Sequence, residues 1–230
     1  MSRPNAITSE QETQLRAYLD AVLEANRQFN LTAVRDPEMA WIKHILDSLE
    51  GLSDAGSTPN FNGVQSVIDV GTGAGFPGAV LAIALSEVRV TLLEATRKKC
   101  NFLETATKAH APNAEVLCTR AEDAGHNPEL RETFDVAVAR AVGSFSEVCE
   151  LCLPFVKVGG QVLLWRGQYA ELEIEESKRA LQTLGGKAGV LKSYELPGHD
   201  TRYYLVRVQK TRSTPAQFPR RSGVPKQEPL

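Results

Sequence analysis

The sequence predicts an α/β fold in which a mostly parallel sheet carries helices on both faces. Three observations predict it. From residue 66 onward, short runs of β-formers alternate with helical segments, as successive strand–helix units require. The first run, "SVIDV", passes straight into the glycine loop "GTGAG" and then into an Ala- and Leu-rich segment, so strand, turn and helix follow one another. The last two apolar runs are joined by only "GHDT", a separation that suits an antiparallel hairpin closing one edge.

The elements follow in order. Ser9 and Glu12 read as a capping box, and Leu15, Leu19, Val22 and Phe29 recur at helical spacing behind it, which predicts a helix over about residues 9–29. Asp36-Pro37 is an N-cap followed by proline at the first helical position, and the helix it opens buries Ile42, Ile45, Leu46 and Leu49. "SDAGSTPNFNG" reads as a linker. Five strands are then expected at "SVIDV", "VTLLE", "AEVLC", "FDVAVA" and "QVLLW". Between them lie "FPGAVLAIALS", "ATRKKCNFLETATKA", a short "AEDA" element and "SFSEVCELCLPF", where Ser144 and Glu147 repeat the capping box. The charged helix "YAELEIEESKRALQTL" precedes the hairpin "GVLKSYELP" and "RYYLVRVQK". The expected division is a helical extension over 1–60, a main domain over 61–212 and a basic tail over 213–230.

A chain of 230 residues suits one large domain with a core that needs no staples. No apolar run approaches the roughly 20 residues of a spanning helix, and "MSRPNAITSEQETQ" lacks the apolar core of a secretory signal. A cytoplasmic protein without a membrane partner is expected. Cys149 and Cys152 form C-x-x-C inside a helical stretch, while Cys100 and Cys118 lie in no paired spacing. Free thiols, no metal site and no disulfide framework follow. No sustained heptad or exposed apolar helix demands a partner, so a monomer is expected. The net charge of −2 is unevenly spread: from Arg207 to Leu230 six basic residues face one acid, leaving the body acidic. That end suits either a polyanionic partner or a solvated, partly disordered tail.

The glycine loop is the most informative stretch. Gly71, Gly73 and Gly75 begin like a dinucleotide fingerprint, but Phe76 stands where the third glycine would, and Pro77 follows. No Lys-Ser or Lys-Thr comes after, which excludes a P-loop. The loop suits a nucleoside without pyrophosphate, and S-adenosylmethionine fits. Glu94 ends the second strand about 20 residues on, where a carboxylate takes ribose hydroxyls. Glu122 follows the third strand and can take the adenine amine, with the Ala121 backbone alongside. Asp69 ends the first strand and can meet the methionine ammonium directly or through water. All three acids lie at the carboxyl ends of strands, where open α/β sheets bind ligands.

The acceptor is read after the fourth strand. "VARAVGSF" lacks the Asn/Asp-Pro-Pro-aromatic stretch of enzymes acting on exocyclic amines, and it lacks the cysteine that attack at pyrimidine C5 needs. A guanine N7 remains attractive, because its lone pair is free and needs no general base.

"NLTAVRDPEMAWIKHILDSL", "VIDVGTGAGFPG", "TLLEATRKK", "VARAV" and "FPRRSGVPKQEPL" together resemble the bacterial glucose-inhibited division protein B family, across nearly the whole chain. The resemblance implies a class I S-adenosylmethionine-dependent methyltransferase fold, Rossmann-like, with seven strands, the last antiparallel, behind N-terminal helices. It implies transfer to N7 of a guanine in 16S ribosomal RNA, free or in a small-subunit assembly intermediate. By motif, it places cofactor contacts at Gly71, Phe76, Glu94-Ala95-Thr96, Ala121-Glu122 and Arg140. Cys100 and Ala74 depart from residues frequent in the family.

The resemblance also suggests roles for polar residues outside the loop. His44, Asp47 and Ser48 fall on one face of the second helix. With Asn30 and Arg35 they are expected to close over the strand ends and position a flipped guanine, Asp47 accepting from N1 and the exocyclic amine. Arg140 is expected to hold the cofactor carboxylate or guanine O6, and it cannot be a base. Arg220, Arg221 and Lys226 are expected to track phosphate. A methyltransferase acting on a small molecule is the alternative; it would share the cofactor site without needing the basic tail.

Overall fold

A computed structural model describes residues 7–52, 61–140 and 143–230. Most of the expected linker, and Ala141 and Val142 after the fourth strand, lie outside the described residues.

Helix α1 (Ser9–Asn26) opens on a capping box, but Thr8 and Gln11 form it rather than Ser9 and Glu12. Thr8 still has extended backbone, so its hydroxyl accepts from the Gln11 N–H at 3.2 Å while Gln11 accepts from the Thr8 N–H at 2.8 Å. Gln11 also donates to the Ile83 and Ala84 carbonyls, whereas Glu12 pairs with Arg16 on the surface. The inward face of α1 buries Leu15, Tyr18, Leu19 and Val22, each stabilising by about 1.5–3 kcal/mol relative to exposure. Asp36 caps α2 (Pro37–Ala40) as expected, accepting from the Met39 N–H at 2.8 Å. The helix then widens into a π-helical stretch (Trp41–Leu46) before α3 (Asp47–Leu49).

Strands and helices alternate from there: β1 (Ser66–Val70), α4 (Gly78–Ala84), β2 (Arg89–Glu94), α5 (Arg97–His110), β3 (Ala114–Cys118), α6 (Ala121–Ala124), β4 (Phe134–Arg140), α7 (Phe145–Cys152) and β5 (Val156–Arg166). The Ser144–Glu147 capping box on α7 is present. The expected charged helix is divided at Ser177 into α8 (Ala170–Glu176) and α9 (Lys178–Leu184). The hairpin β6 (Gly186–Glu195) and β7 (Arg202–Lys210) and a last turn, α10 (Val224–Gln227), complete the chain.

The seven strands lie in the order β3-β2-β1-β4-β5-β7-β6. β1 to β5 are parallel, and β7 runs antiparallel to both neighbours. Strand order reverses between β1 and β4, and open α/β sheets bind ligands beyond the carboxyl ends of their strands at such a point. Alternation along each strand divides the core. Val67, Leu92, Val138 and Leu163 face α1, α4 and the second helix, while Ile68, Leu93, Ala137 and Leu164 face α7 and α9. The N-terminal helices are therefore continuous with the core of the sheet.

One expectation about the cysteines is overturned. Cys100 and Cys118 are joined in a disulfide, with Cα atoms 5.8 Å apart. Glu94 on β2 pairs in register with Cys118, and α5 begins just beyond Glu94, which swings Cys100 over the end of β3. The distance suits a bridge, but strand register is what creates it. Cys149 and Cys152 are buried free thiols, and burial raises both pKa values.

The C-terminal segment packs on the body. Arg131 donates to the carbonyls of Gly125, Thr214, Pro215 and Phe218 at 2.7–3.2 Å. Lys210, fully buried, pairs with Glu132 at 2.7 Å. Arg220 forms an ion pair at 2.6 Å with Glu150, whose side chain is 0% exposed. Two of the six basic residues are thus neutralised internally. Arg220→Met leaves the Glu150 carboxylate buried without its cation, so unfolding should become easier by about 3–5 kcal/mol. Arg221→Met, on an exposed side chain, should change stability by less than about 0.5 kcal/mol. Equal thermal midpoints for the two variants would contradict this.

Candidate functional site

The glycine loop between β1 and α4 turns on three residues with left-handed backbone: Gly71, Gly73 and Gly75. Asp69 braces it from below. One carboxylate oxygen of Asp69 accepts from the Thr72 hydroxyl at 2.6 Å and the Gly78 N–H at 2.7 Å. The other has no partner, alone among buried carboxylate oxygens of the described residues. Burial pushes the Asp69 pKa up to about 6. Glu94 accepts from the Gly73 N–H at 3.1 Å and the Thr96 N–H at 2.8 Å, which ties the end of β2 to the loop. From α1, the Tyr18 hydroxyl donates to the Ala74 carbonyl at 2.8 Å, and its ring meets Phe76 edge-on at 5.9 Å.

Beside the loop, beyond the ends of β4 and β5, lies a cleft of about 460 Å³. Lys43, His44 and Asp47 of the second helix line it, with Arg140 and Trp165 from the strand ends, Glu173 from α8, and Tyr194 and Tyr203 from the hairpin. Arg140 donates to Asp47 at 2.8 Å and to the Lys43 carbonyl at 3.0 Å, and its second terminal nitrogen approaches His44 Nδ1 at 3.5 Å. Asp47 accepts from the Tyr194 hydroxyl on its other oxygen, and its carbonyl accepts from the Trp165 indole at 2.7 Å. His44 stacks on Phe76 at 4.6 Å, and Arg140 lies 5.7 Å over the same ring. The wall of the cleft is therefore also a wall of the glycine loop.

These contacts assign the His44 tautomer. A guanidinium only donates, so Nδ1 accepts from Arg140, and Nε2 carries the proton that it donates to Thr32 at 2.8 Å. Burial, reinforced by the Arg140 and Lys43 charges, holds the His44 pKa down to about 4. The fold favours neutral imidazole, so this contribution is complete above pH 6.5 and is lost as pH falls toward 4. Asp69, its pKa raised, works in the opposite direction, its contribution being lost as pH rises through about 6. The difference between wild type and His44→Gln isolates the histidine. Between pH 7 and 4.5 the variant should lose less stability than wild type, by on the order of 2–3 kcal/mol. Equal losses in denaturant titrations at the two pH values would refute that.

The model of the GidB family, described as rRNA small subunit methyltransferase G, matches residues 11–200. The chain belongs to this family. The ribosomal RNA small subunit methyltransferase G of Oenococcus oeni is 40% identical over 225 residues, covering 97% of this chain and 91% of its own. The protein of the same name from Symbiobacterium thermophilum is 42% identical over 219 residues, covering 93% and 87%. Among solved structures, an O-methyltransferase from Bacillus cereus in complex with SAH matches with a TM-score of 0.58 at 20% identity, over 84% of this chain and 91% of that one. A T. thermophilus 16S rRNA N2 G1207 methyltransferase in complex with AdoMet and guanosine gives 0.51 at 15%, over 75% and 40%. The sheet of this GidB-family chain is that of the class I methyltransferases.

The structure brings the expected residues of this GidB-family member together unevenly. Gly71, Gly73, Gly75, Phe76, Asp69 and Glu94 converge on one loop, with Ala95 and Thr96 exposed at its rim. Ala121 and Glu122 open α6, where Glu122 accepts from the Gly223 N–H at 2.9 Å. His44, Asp47 and Arg140 meet in the cleft. Ser48 does not: it is fully buried, and its hydroxyl donates to the His44 carbonyl. Asn30 and Arg35 are exposed, and Arg35 lines a separate groove with Asp20, Asn26 and Pro37. Arg220 is engaged with Glu150, whereas Arg221 and Lys226 are exposed. Sequence reasoning missed Tyr18, Trp165, Tyr194 and Tyr203. Trp165 could have been flagged by its place at the end of a parallel strand; the tyrosines carry no local signal.

Proposed function

We propose that this methyltransferase transfers a methyl group from S-adenosylmethionine to N7 of a guanine in 16S ribosomal RNA. The residues of the loop fit that donor. The unpartnered oxygen of buried Asp69 suits an ammonium group, Glu94 suits a ribose diol, and the space above Gly73, where an added Cβ would touch nothing within 4 Å, leaves room for the ligand. Glu122 and the Ala121 backbone would read the adenine. Bound there, S-adenosylmethionine supplies a methyl group made electrophilic by a cationic sulfur.

The observation that carries the reading is the shared wall: Phe76 of the loop stacks on His44 and lies beneath Arg140, so donor and acceptor sites meet. None of the three candidate bases lining the cleft suits proton removal. His44 is a neutral ring that donates from Nε2 to Thr32, both Asp47 oxygens accept hydrogen bonds, and both Glu173 oxygens are held by Arg166. A nucleophile that arrives unprotonated, as guanine N7 does, suits such a cleft. Arg140 would hold guanine O6 or the donor's carboxylate, and Asp47 would hold Arg140. Rate enhancement then comes from alignment and exclusion of water. Arg221 and Lys226, and Asn30 and Arg35, are exposed and would suit contact with phosphate. The enzyme acts as a cytoplasmic monomer on ribosomal RNA, free or in an assembly intermediate.

The test is incubation with methyl-labelled donor and 16S RNA from cells lacking this protein, followed by mass mapping of the labelled nucleotide. Label as 7-methylguanosine at one site is expected. Label on an exocyclic amine, or in a metabolite extract with none in RNA, would overturn the reading.

A further inference from the structure

We propose that Tyr194 is a positioning residue that acts through Asp47 to set where Arg140 sits. The inference rests on the reading that Arg140 serves the acceptor cleft. β6 is the outer strand of the hairpin, the strand farthest from β1 on that side of the sheet. Its Tyr194 nevertheless reaches back to the second helix, and the hydroxyl donates to Asp47 Oδ1 at 2.5 Å. The other Asp47 oxygen takes Arg140 at 2.8 Å. One carboxylate is thus shared between the Tyr194 hydroxyl and the Arg140 guanidinium, both of which line the cleft.

Tyr194 is itself held in place. It pairs in register with Tyr203 on β7, and the two rings stack at 5.8 Å. The Lys192 ammonium lies 5.6 Å from the same ring and pairs with Glu50 at 2.6 Å. The Trp165 indole fixes the Asp47 backbone from below. Asp47 is only 10% exposed on its side chain and Arg140 only 13%, so protein contacts more than solvent set their orientation. Without the Tyr194 hydroxyl the carboxylate is free to turn, and Arg140 turns with it. A displaced guanidinium loses alignment in the transition state more than it loses binding.

Tyr194→Phe in the full chain keeps the ring and its stacking while removing the hydroxyl. The expected result is a fall in kcat of about 10-fold, with KM for RNA and affinity for S-adenosylhomocysteine within about 2-fold of wild type. Combined with Arg140→Lys, it should add nothing to the loss caused by Arg140→Lys alone. Wild-type turnover, or losses that multiply, would overturn the proposal. A second readout does not depend on the acceptor: nitrogen NMR of labelled arginine side chains, with Arg140 assigned from Arg140→Lys. Tyr194→Phe should shift and broaden that resonance, and an unmoved resonance would overturn the proposal. If the wild-type protein methylates no ribosomal guanine, the functional reading fails by itself, and the resonance still decides the role of Tyr194.

Discussion

Arg140→Lys is expected to lower kcat on ribosomal RNA about 100-fold while the protein stays folded and still binds S-adenosylhomocysteine. Arg140 spends one terminal nitrogen on Asp47 and the Lys43 carbonyl and points the other toward neutral His44, over the face of Phe76. A planar fork can serve those partners together and still present a fixed edge to the cleft. An ammonium on a flexible stem cannot. Loss of one preorganised donor at a reacting centre costs about 10²–10³ in rate, which sets the size expected. Single-turnover kinetics with saturating RNA, beside calorimetry with S-adenosylhomocysteine, separate chemistry from binding. Full turnover in the lysine variant would reduce Arg140 to a structural ion pair.

The second large effect is expected from Gly75→Ala. Gly75 has φ of 94°, where a Cβ is strained by about 1–3 kcal/mol. The added methyl would also run into the Tyr18 hydroxyl and come within 3.0 Å of the Ala79 Cβ. Overpacking of that kind costs roughly another 1–3 kcal/mol. The Tyr18 hydroxyl cannot retreat without losing the Ala74 carbonyl. The thermal midpoint should drop by about 10 °C for a chain of this size, and affinity for S-adenosylhomocysteine should fall at least about 10-fold. Gly63→Ala is the control: its φ is 72°, but an added Cβ meets nothing within 4 Å, so only backbone strain remains. Equal effects at the two positions would mean that the contact with α1 does not govern the loop.

Much of this was legible from residues alone because the signals were local. The five parallel strands show as β-forming runs at regular intervals, and each expected run lies within a strand, although β5 begins earlier, at Val156. Asp36-Pro37 and Ser144–Glu147 were recognised because a cap is a contact between residues three apart. The acids at 69 and 94 are legible in the same way, since Asp69 is next to the end of β1 and Glu94 ends β2. The first cap was misplaced by one residue because what decides it, the reach of Gln11 to the end of α4, is a distant contact. Cys100 and Cys118 look like separate thiols in the sequence for the same reason: only the β2–β3 register and the path of α5 bring them together. Nor could charge along the chain show that Lys210 and Arg220 are spent inside the protein on Glu132 and Glu150.

By itself the sequence determined a parallel α/β sheet, a glycine loop unsuited to pyrophosphate and a set of acids at strand ends. All of these depend on spacing within one element or between neighbours. Tertiary structure alone decided that Tyr18 braces the loop, that Tyr194 on the outer strand reaches Asp47, and that Phe76, His44 and Arg140 stack where the glycine loop meets the cleft. The physical reason is range. Propensity and capping act over a few residues, whereas a cleft is made of side chains whose separation along the chain says nothing of their separation in space.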